Sequence, residues 1–482
     1  MQTLTRRVYL LLVILLFFTI PVSANAPTST VDIAAQSLIN RHATPLPNEW
    51  AWQSVIQSPH YQLDRDVGAA SIGVGFLAGY DVTLDAKLKV KYLNAAEYVA
   101  NFIVEAQTPA NSGRWPDYYD PAPVGPASYG YTSLDDGAAG ISDFLWLLYE
   151  RDNYSTYKDV ALTGINWLVS LAQAPLGANC PKQQCYWRWR DPYNNSTPIY
   201  TGIGSGMAGI VYTLDKFAER TGNPSYQKYA LAGAAYLEAQ IDVDGSVSEK
   251  VGGRAEFDTG LYAGAAGDAF VFYSLYLHTH DDRWLNDANK IMAWVRLQGV
   301  AQTSGTAWPI SVGAGNIGNR TLSTEVAEGA AGIGWAELQA YKVTHDAKND
   351  LATAQEAGDW LLSIAVNENN GYTWPAYAGQ TDYYTALDLG VGGISVFLHD
   401  LSIATGNAKY EQAAQKAQIW LSSVQFQDSQ DSLGAYWYQD RNNGTWTNPK
   451  EPSWDWGLAG ILGSAASLNG WTIDMPRDVP GF

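Results

Sequence analysis

Seven copies of one short pattern constrain this chain more than any other feature. The clearest copy is Thr132-Ser133-Leu134-Asp135-Asp136-Gly137-Ala138-Ala139-Gly140, which reads Thr-x-apolar-x-x-Gly-x-x-Gly and runs on into an apolar stretch. Its first glycine recurs at 68, 137, 206, 264, 329, 390 and 457, so the period is 58 to 69 residues. A self-similar unit of this length at near-constant spacing marks a repeat architecture in which each unit buries its face only against its neighbours.

Each motif opens one helix, and a second helix follows after a short turn rich in helix-stop residues, such as Thr221-Gly222-Asn223-Pro224. Apolar residues at helical spacing place these second helices over 88–107, 157–172, 226–240, 284–297, 352–365 and 410–424. The seventh motif has no successor, and an amphipathic stretch over 31–42 supplies the missing partner. The expected fold is therefore all-α: an (α/α)7 toroid of seven inner and seven outer helices, forming one domain over 25–482. The paired glycines are expected to let inner helices approach closely. The returns from outer to inner helix are long and carry Trp115, Trp187, Trp189, Trp308, Trp374 and Trp437. Long loops on one face of a rigid scaffold are where function concentrates.

Residues 1–24 combine Arg6 and Arg7, an apolar run over 9–20 and a small-x-small ending at Ala24, the parts of a secretory signal peptide. That run is shorter than the about 20 apolar residues a membrane span needs. The mature chain is expected to be secreted (periplasmic where the host has an outer membrane), monomeric and not membrane-spanning. In such a setting Cys180 and Cys185 read as a local disulfide. A formal net charge of −19 argues against nucleic acid as partner. Nineteen Trp and thirty Tyr in an exported chain suggest sugar-stacking surfaces, with Trp115, Trp189, Trp308, Trp374 and Trp437 as the candidates.

Seven inner helices opening with Gly-x-x-Gly resemble the lanthionine synthetase C-like superfamily. The resemblance implies a cavity at the ring centre and, in peptide-cyclising members, zinc held by Cys directly before the fifth motif and by Cys-His at the sixth. Here those places read Ala327-Glu328-Gly329 and Asp388-Leu389-Gly390, so all three ligands are missing and neither metal nor other cofactor is expected.

Acids stand there instead. Two residues before the first glycine lie Asp66, Asp135, Asp388 and Asp455; one before it lie Asp136 and Glu328. An Asp before a helix ordinarily caps free N–H groups and complements the positive dipole end. One helix start needs one cap, so the adjacent Asp135 and Asp136 are not both explained; Asp135 reads as the cap and Asp136 as the extra group. Carboxyls crowded into one cavity raise one another's pKa, which separates an acid from a base or nucleophile. With aromatic loops, that is the equipment of glycoside hydrolysis. The expected function is a metal-independent glycan hydrolase using Asp136, Asp135, Asp388, Asp455 and Asp66, with Glu328 among the substrate-binding residues. The alternatives are a zinc-free, non-catalytic member holding a peptide or glycan in the cavity, and a polysaccharide lyase.

Overall fold

The computed structural model describes residues 27–45, 48–53, 60–119, 130–191, 197–253, 256–313, 318–427, 435–449 and 451–471. Residues 1–24, expected to be a signal peptide, lie outside the described residues. Fourteen helices are present among them. The inner set is α2 (Ala69–Val82), α4 (Ala138–Asp152), α6 (Met207–Thr221), α8 (Ala265–Thr279), α10 (Ala330–Thr344), α12 (Val391–Thr405) and α14 (Leu458–Ser467). The outer set is α1 (Pro27–Asn40), α3 (Ala86–Glu105), α5 (Ser155–Leu171), α7 (Pro224–Glu238), α9 (Asp282–Leu297), α11 (Asp350–Ile364) and α13 (Ala408–Ser423). Each inner helix packs on both inner neighbours, and α14 packs on α2, so the inner ring is closed. The N-terminal helix α1 packs on α14, as the count of motifs requires. This is the all-α (α/α)7 toroid.

Inner helices are buried over nearly their whole length, as in α4 from Ala138 to Leu148, because outer helices and inner neighbours cover them on every side. Outer helices keep an exposed polar face. Most begin two residues before their apolar periodicity does, because Asp85, Asn223, Asp281 and Asn407 cap them by accepting N–H bonds from the first turn. The turns from inner to outer helix are tight. Asn153, Gly222, His280, His345 and Gly406 take the left-handed conformation that ends five of the seven inner helices, which accounts for two of the six histidines.

The motif glycines do a different job from the expected one. A Cβ at Gly140, Gly209, Gly267, Gly332, Gly393 or Gly460 would land on the carbonyl oxygen of its own motif's apolar residue: Leu134, Ile203, Leu261, Val326, Leu387 or Trp454. The motif loop folds back over the first turn of its helix, and the glycines admit loop backbone rather than a neighbouring helix. The fold-back satisfies the helix start. The carbonyls of Thr201, Thr259, Thr324 and Thr385 accept the N–H groups of Ala208, Ala266, Ala331 and Gly392. The same threonine hydroxyls bond outward to the next return loop, as Thr324 Oγ1 does to Pro375 O at 2.8 Å and Thr385 Oγ1 to Tyr438 O at 2.9 Å.

Successive return loops also pair through short antiparallel strands. Examples are Gly130–Tyr131 with Arg190–Asp191 and Glu256–Asp258 with Ser311–Gly313. The result is a braced rim around the mouth of the ring. Cys180 and Cys185 are joined in a disulfide within one of these loops.

Candidate active site

The residues two places before each first glycine are Asp66, Asp135, Gly204, Tyr262, Ala327, Asp388 and Asp455. Backbone hydrogen bonds carry them round the ring in order. Arg65 N–H donates to Asp135 O (2.8 Å), Asp135 N–H to Gly204 O (3.1 Å) and Gly204 N–H to Tyr262 O (3.0 Å). Tyr262 N–H then donates to Ala327 O (2.9 Å), Ala327 N–H to Asp388 O (3.2 Å), and Asp455 N–H to Asp66 O (3.5 Å). These residues form a collar at the inner-helix N-termini, on the side of the long loops.

None of the four collar aspartates caps a helix. The N-cap of each inner helix is the motif glycine, in extended conformation and with no side-chain cap bond. The capping expected of Asp66, Asp135, Asp388 and Asp455 is thus corrected: loop carbonyls already take the N–H groups, so the carboxyls are left for one another. Loop bonding falls to the residue four before the glycine. Asp64 Oδ1 accepts from Val67 N–H at 2.7 Å and Gly68 N–H at 2.9 Å, and Glu325 accepts from Glu328 N–H.

Burial dominates the electrostatics of the collar. It pushes the Asp135 carboxyl well above the usual carboxylate range, helped by Asp66, Asp136 and Asp388 and opposed by Arg65. Burial likewise raises Asp66 to about 7, and raises Asp388 and Asp455, the last well above its ordinary value. Tyr262 Oη donates to Asp388 Oδ1 at 2.8 Å across the collar. The cation behind these acids is Arg65, 1% exposed and ion-paired with Asp143, which also holds Arg220 at 2.7 Å.

Asp136 is placed differently. Its Oδ2 accepts from Ser133 Oγ at 3.0 Å and from the Trp189 indole N–H at 2.9 Å, so the carboxylate is oriented by two donors. Trp189 is half-buried, and Tyr131 and Tyr200 flank it with ring centroids at 4.7 and 5.6 Å. Beside it opens a pocket of about 200 Å³ lined by Asp135, Trp189, Tyr200, Glu249, Tyr262 and the side-chain-poor stretch around Gly204. The collar opens here because Gly204 has no side chain; a methyl on it would strike Asp135 Oδ2.

The structure brings Asp66, Asp135, Asp136, Asp388, Asp455 and Trp189 together. Glu328 stands on the fifth motif, half-buried and raised by burial and by Glu249. The stacking role expected of Trp115, Trp308, Trp374 and Trp437 is corrected. All four are buried, and each indole N–H donates to a carbonyl in the last turn of an outer helix: Ile103, Val295, Leu361 and Leu421, at 2.7 to 2.9 Å. Carbonyls in the last turn of a helix lack intrahelical donors, and each indole supplies one while filling the core, although Val295 O also accepts from Gln298 N–H. Trp374→Phe should therefore lower stability by about 2 kcal/mol, read as a lower melting temperature. Lost ligand affinity at unchanged stability would restore the stacking role.

Sequence reasoning missed Tyr262, Arg65, Ser133, Tyr200 and Glu249. Two of these carry a signal in the alignment of repeats. Tyr262 stands where four other repeats have Asp, and Arg65 where the others have Leu134, Ile203, Leu261, Val326, Leu387 and Trp454.

The model of the lanthionine synthetase C-like protein family matches residues 193–469 of this 482-residue chain. The chain belongs to that family. Among solved structures, nisin cyclase has the same fold at 13% identity, covering 86% of this chain and 93% of its own, with a TM-score of 0.55. A sugar epimerase from a ruminal bacterium (9% identity, 93% and 100% covered, TM-score 0.51) and a D-mannose isomerase (12%, 92% and 97%, 0.50) share the ring as well. Comparison with curated protein sequences gives no match. Zinc, which the lanthionine synthetase C-like cyclases bind, does not fit this chain. At the three ligand places stand Ala327, Asp388 and Leu389, and among the described residues no group of three or more His, Cys, Asp or Glu converges as a metal site.

Proposed function

We propose that this protein is an exported glycan hydrolase whose acid is Asp135 and whose base or nucleophile is Asp136. The observation that carries the proposal is the pairing of unlike carboxyls at the pocket. Asp135 lines it with a carboxyl pushed well above its ordinary value by burial and by neighbouring acids, which suits it to carry a proton. Asp136 beside it is oriented by Ser133 and Trp189. In this reading Asp135 gives its proton to the glycosidic oxygen as the bond to the anomeric carbon breaks. Asp136 takes a proton from the attacking water, or attacks that carbon first. Trp189 and Tyr200 supply aromatic faces to a sugar. The shared ring of a sugar epimerase and a D-mannose isomerase fits a sugar ligand but does not supply the reaction.

Charge narrows the substrate. Glu249, Asp258, Glu325 and Glu328 extend the acids along the same side of the mouth, with Asp258 raised to about 7 and Glu325 to about 8, chiefly by burial. The raised carboxyls add hydrogen-bond donors for sugar hydroxyls, and the chain's formal net charge of −19 disfavours uronate-bearing polymers, which favours neutral glycans and speaks against the lyase.

The test is a panel of neutral and acidic polysaccharides, assayed for new reducing ends and for absorbance of unsaturated products. Reducing ends from a neutral member are expected. Unsaturated products would transfer the proposal to the lyase. Binding without turnover on every member would transfer it to the non-catalytic reading, which the missing zinc ligands also favour. On the responding substrate Gly204→Ala should cut turnover at least about 10-fold, since displacing a catalytic group by about 1 Å costs up to 10²-fold. Equal rates would remove Asp135 from the reaction.

A further inference from the structure

The collar's backbone ladder has six links and one gap. Among the described residues no backbone hydrogen bond joins the sixth motif loop to the seventh, although every other neighbouring pair of loops is joined. At the gap stand Asp388 and Asp455. The Asp455 carboxyl is in side-chain hydrogen-bonding contact with both Asp388 and Asp66, the latter on the first motif. Asp66 Oδ1 and Asp388 Oδ2 are buried, and neither meets an N–H or hydroxyl donor. Two buried acceptors facing a third carboxyl form hydrogen bonds only when protons are present among the three.

We propose that Asp66, Asp388 and Asp455 form a proton-dependent clasp that closes the ring, tying the seventh repeat to the sixth and the first, and that the clasp releases as it loses its protons. The inference does not depend on the reaction at Asp135 and Asp136. The surroundings favour a shared proton at neutral pH. Asp388 accepts from Tyr262 Oη and lies near Arg65, so it is the member suited to carry the negative charge. Burial raises the Asp455 carboxyl, and repulsion from the facing Asp388 and Asp66 adds to it, so it is the member that holds a proton. Asp66 faces Asp136, Asp388 and Glu451 as well, and is raised to about 7. The protons belong to the group as a whole, and it titrates as one unit. Because these carboxyls are raised above their unfolded values, the stability the clasp supplies is complete at low pH and is lost as pH rises through the folded values.

The test uses Asp455→Asn and Asp455→Ala in the full chain. The amide of Asn carries two N–H donors that do not titrate, so it satisfies Asp66 and Asp388 at any pH; Ala satisfies neither. Thermal unfolding from pH 5 to pH 9 is measured with hydrogen exchange of the 454–457 loop. Asp268 in α8, Glu325 and Glu337, each raised by burial to about 8, and Asp258, raised to about 7, also titrate in this range, but they are present in all three proteins and cancel in the comparison. In the wild type, melting temperature and loop protection should fall across this range, protection by at least 10-fold beyond the intrinsic rate change. The Asn variant should hold loop protection nearly constant and reduce the fall in melting temperature to the part that the other buried acids supply, and the Ala variant should melt lower than Asn throughout. A pH dependence unchanged by Asn, an Asn variant no more stable than Ala, or an Asn variant that fails to fold overturns the clasp.

Discussion

Asp136→Asn lowers turnover on the responding glycan by about 10²–10⁴-fold, the range supplied by one acid–base group, while melting within a degree or so of the wild type. The fold is spared because the amide oxygen still accepts from Ser133 and Trp189. What is lost is the group that takes the proton or attacks. Asp135→Asn should also abolish turnover, for the opposite reason: it removes a proton that must be given. Its effect on folding has the reverse sign to that of a lost cap. A carboxyl raised by burial destabilises the native state more as pH rises above its unfolded value, so the Asn variant should be at least as stable as wild type at pH 7. Rates and melting curves of the two variants at pH 5 and pH 7 check this. Wild-type turnover in Asp136→Asn would end the assignment.

Asp268→Ile raises the melting temperature by about 5 °C at pH 8 and by little at pH 4.5. Asp268 stands in the first turn of α8, where the other six repeats have Ile72, Ile141, Ile210, Ile333, Ile394 and Ile461. It is 2% exposed, and neither carboxyl oxygen has a hydrogen-bond partner. Burial alone pushes it up to about 8, against an ordinary 3.8. The native state therefore holds a proton that the unfolded chain releases above about pH 4, and stability falls from there until the folded carboxyl ionises. At 1.36 kcal/mol per unit the whole interval is worth on the order of 5 kcal/mol. For a chain this long a kcal/mol shifts melting by about 1–2 °C, somewhat less than in domains of 150–250 residues. Asp268→Asn separates charge from packing: it should flatten the pH dependence without the gain from a filled apolar site. Equal gains for Asp268→Ile at both pH values would show that packing, not ionisation, sets the cost.

The ring was legible because it is written seven times. Motif spacing, the helix-stop turns and the lone 31–42 helix together determine fourteen helices and their order, since each unit can bury its apolar face only against the next. The acids at 66, 135, 388 and 455 were legible as a set for the same reason. Their job was not. Asp before a helix looks like a cap at any one repeat, and only the coordinates show loop carbonyls already taking the N–H groups.

The tryptophans failed in the same way. Trp189 and Trp308 carry the same local signal, aromatic residues in a long loop. Yet one bonds Asp136 at the pocket and the other bonds Val295 O in the core. Which face of the loop an indole takes depends on where the preceding helix ends in space, and no local pattern records that. Sequence alone determined the repeat and the closure of the ring, because periodicity is a property of the chain. Tertiary structure decided which carboxyls share protons, which one is oriented by Trp189 and which oxygen lacks a donor. Those depend on contacts between residues as far apart as Tyr262 and Asp388, brought within 2.8 Å only when the ring closes.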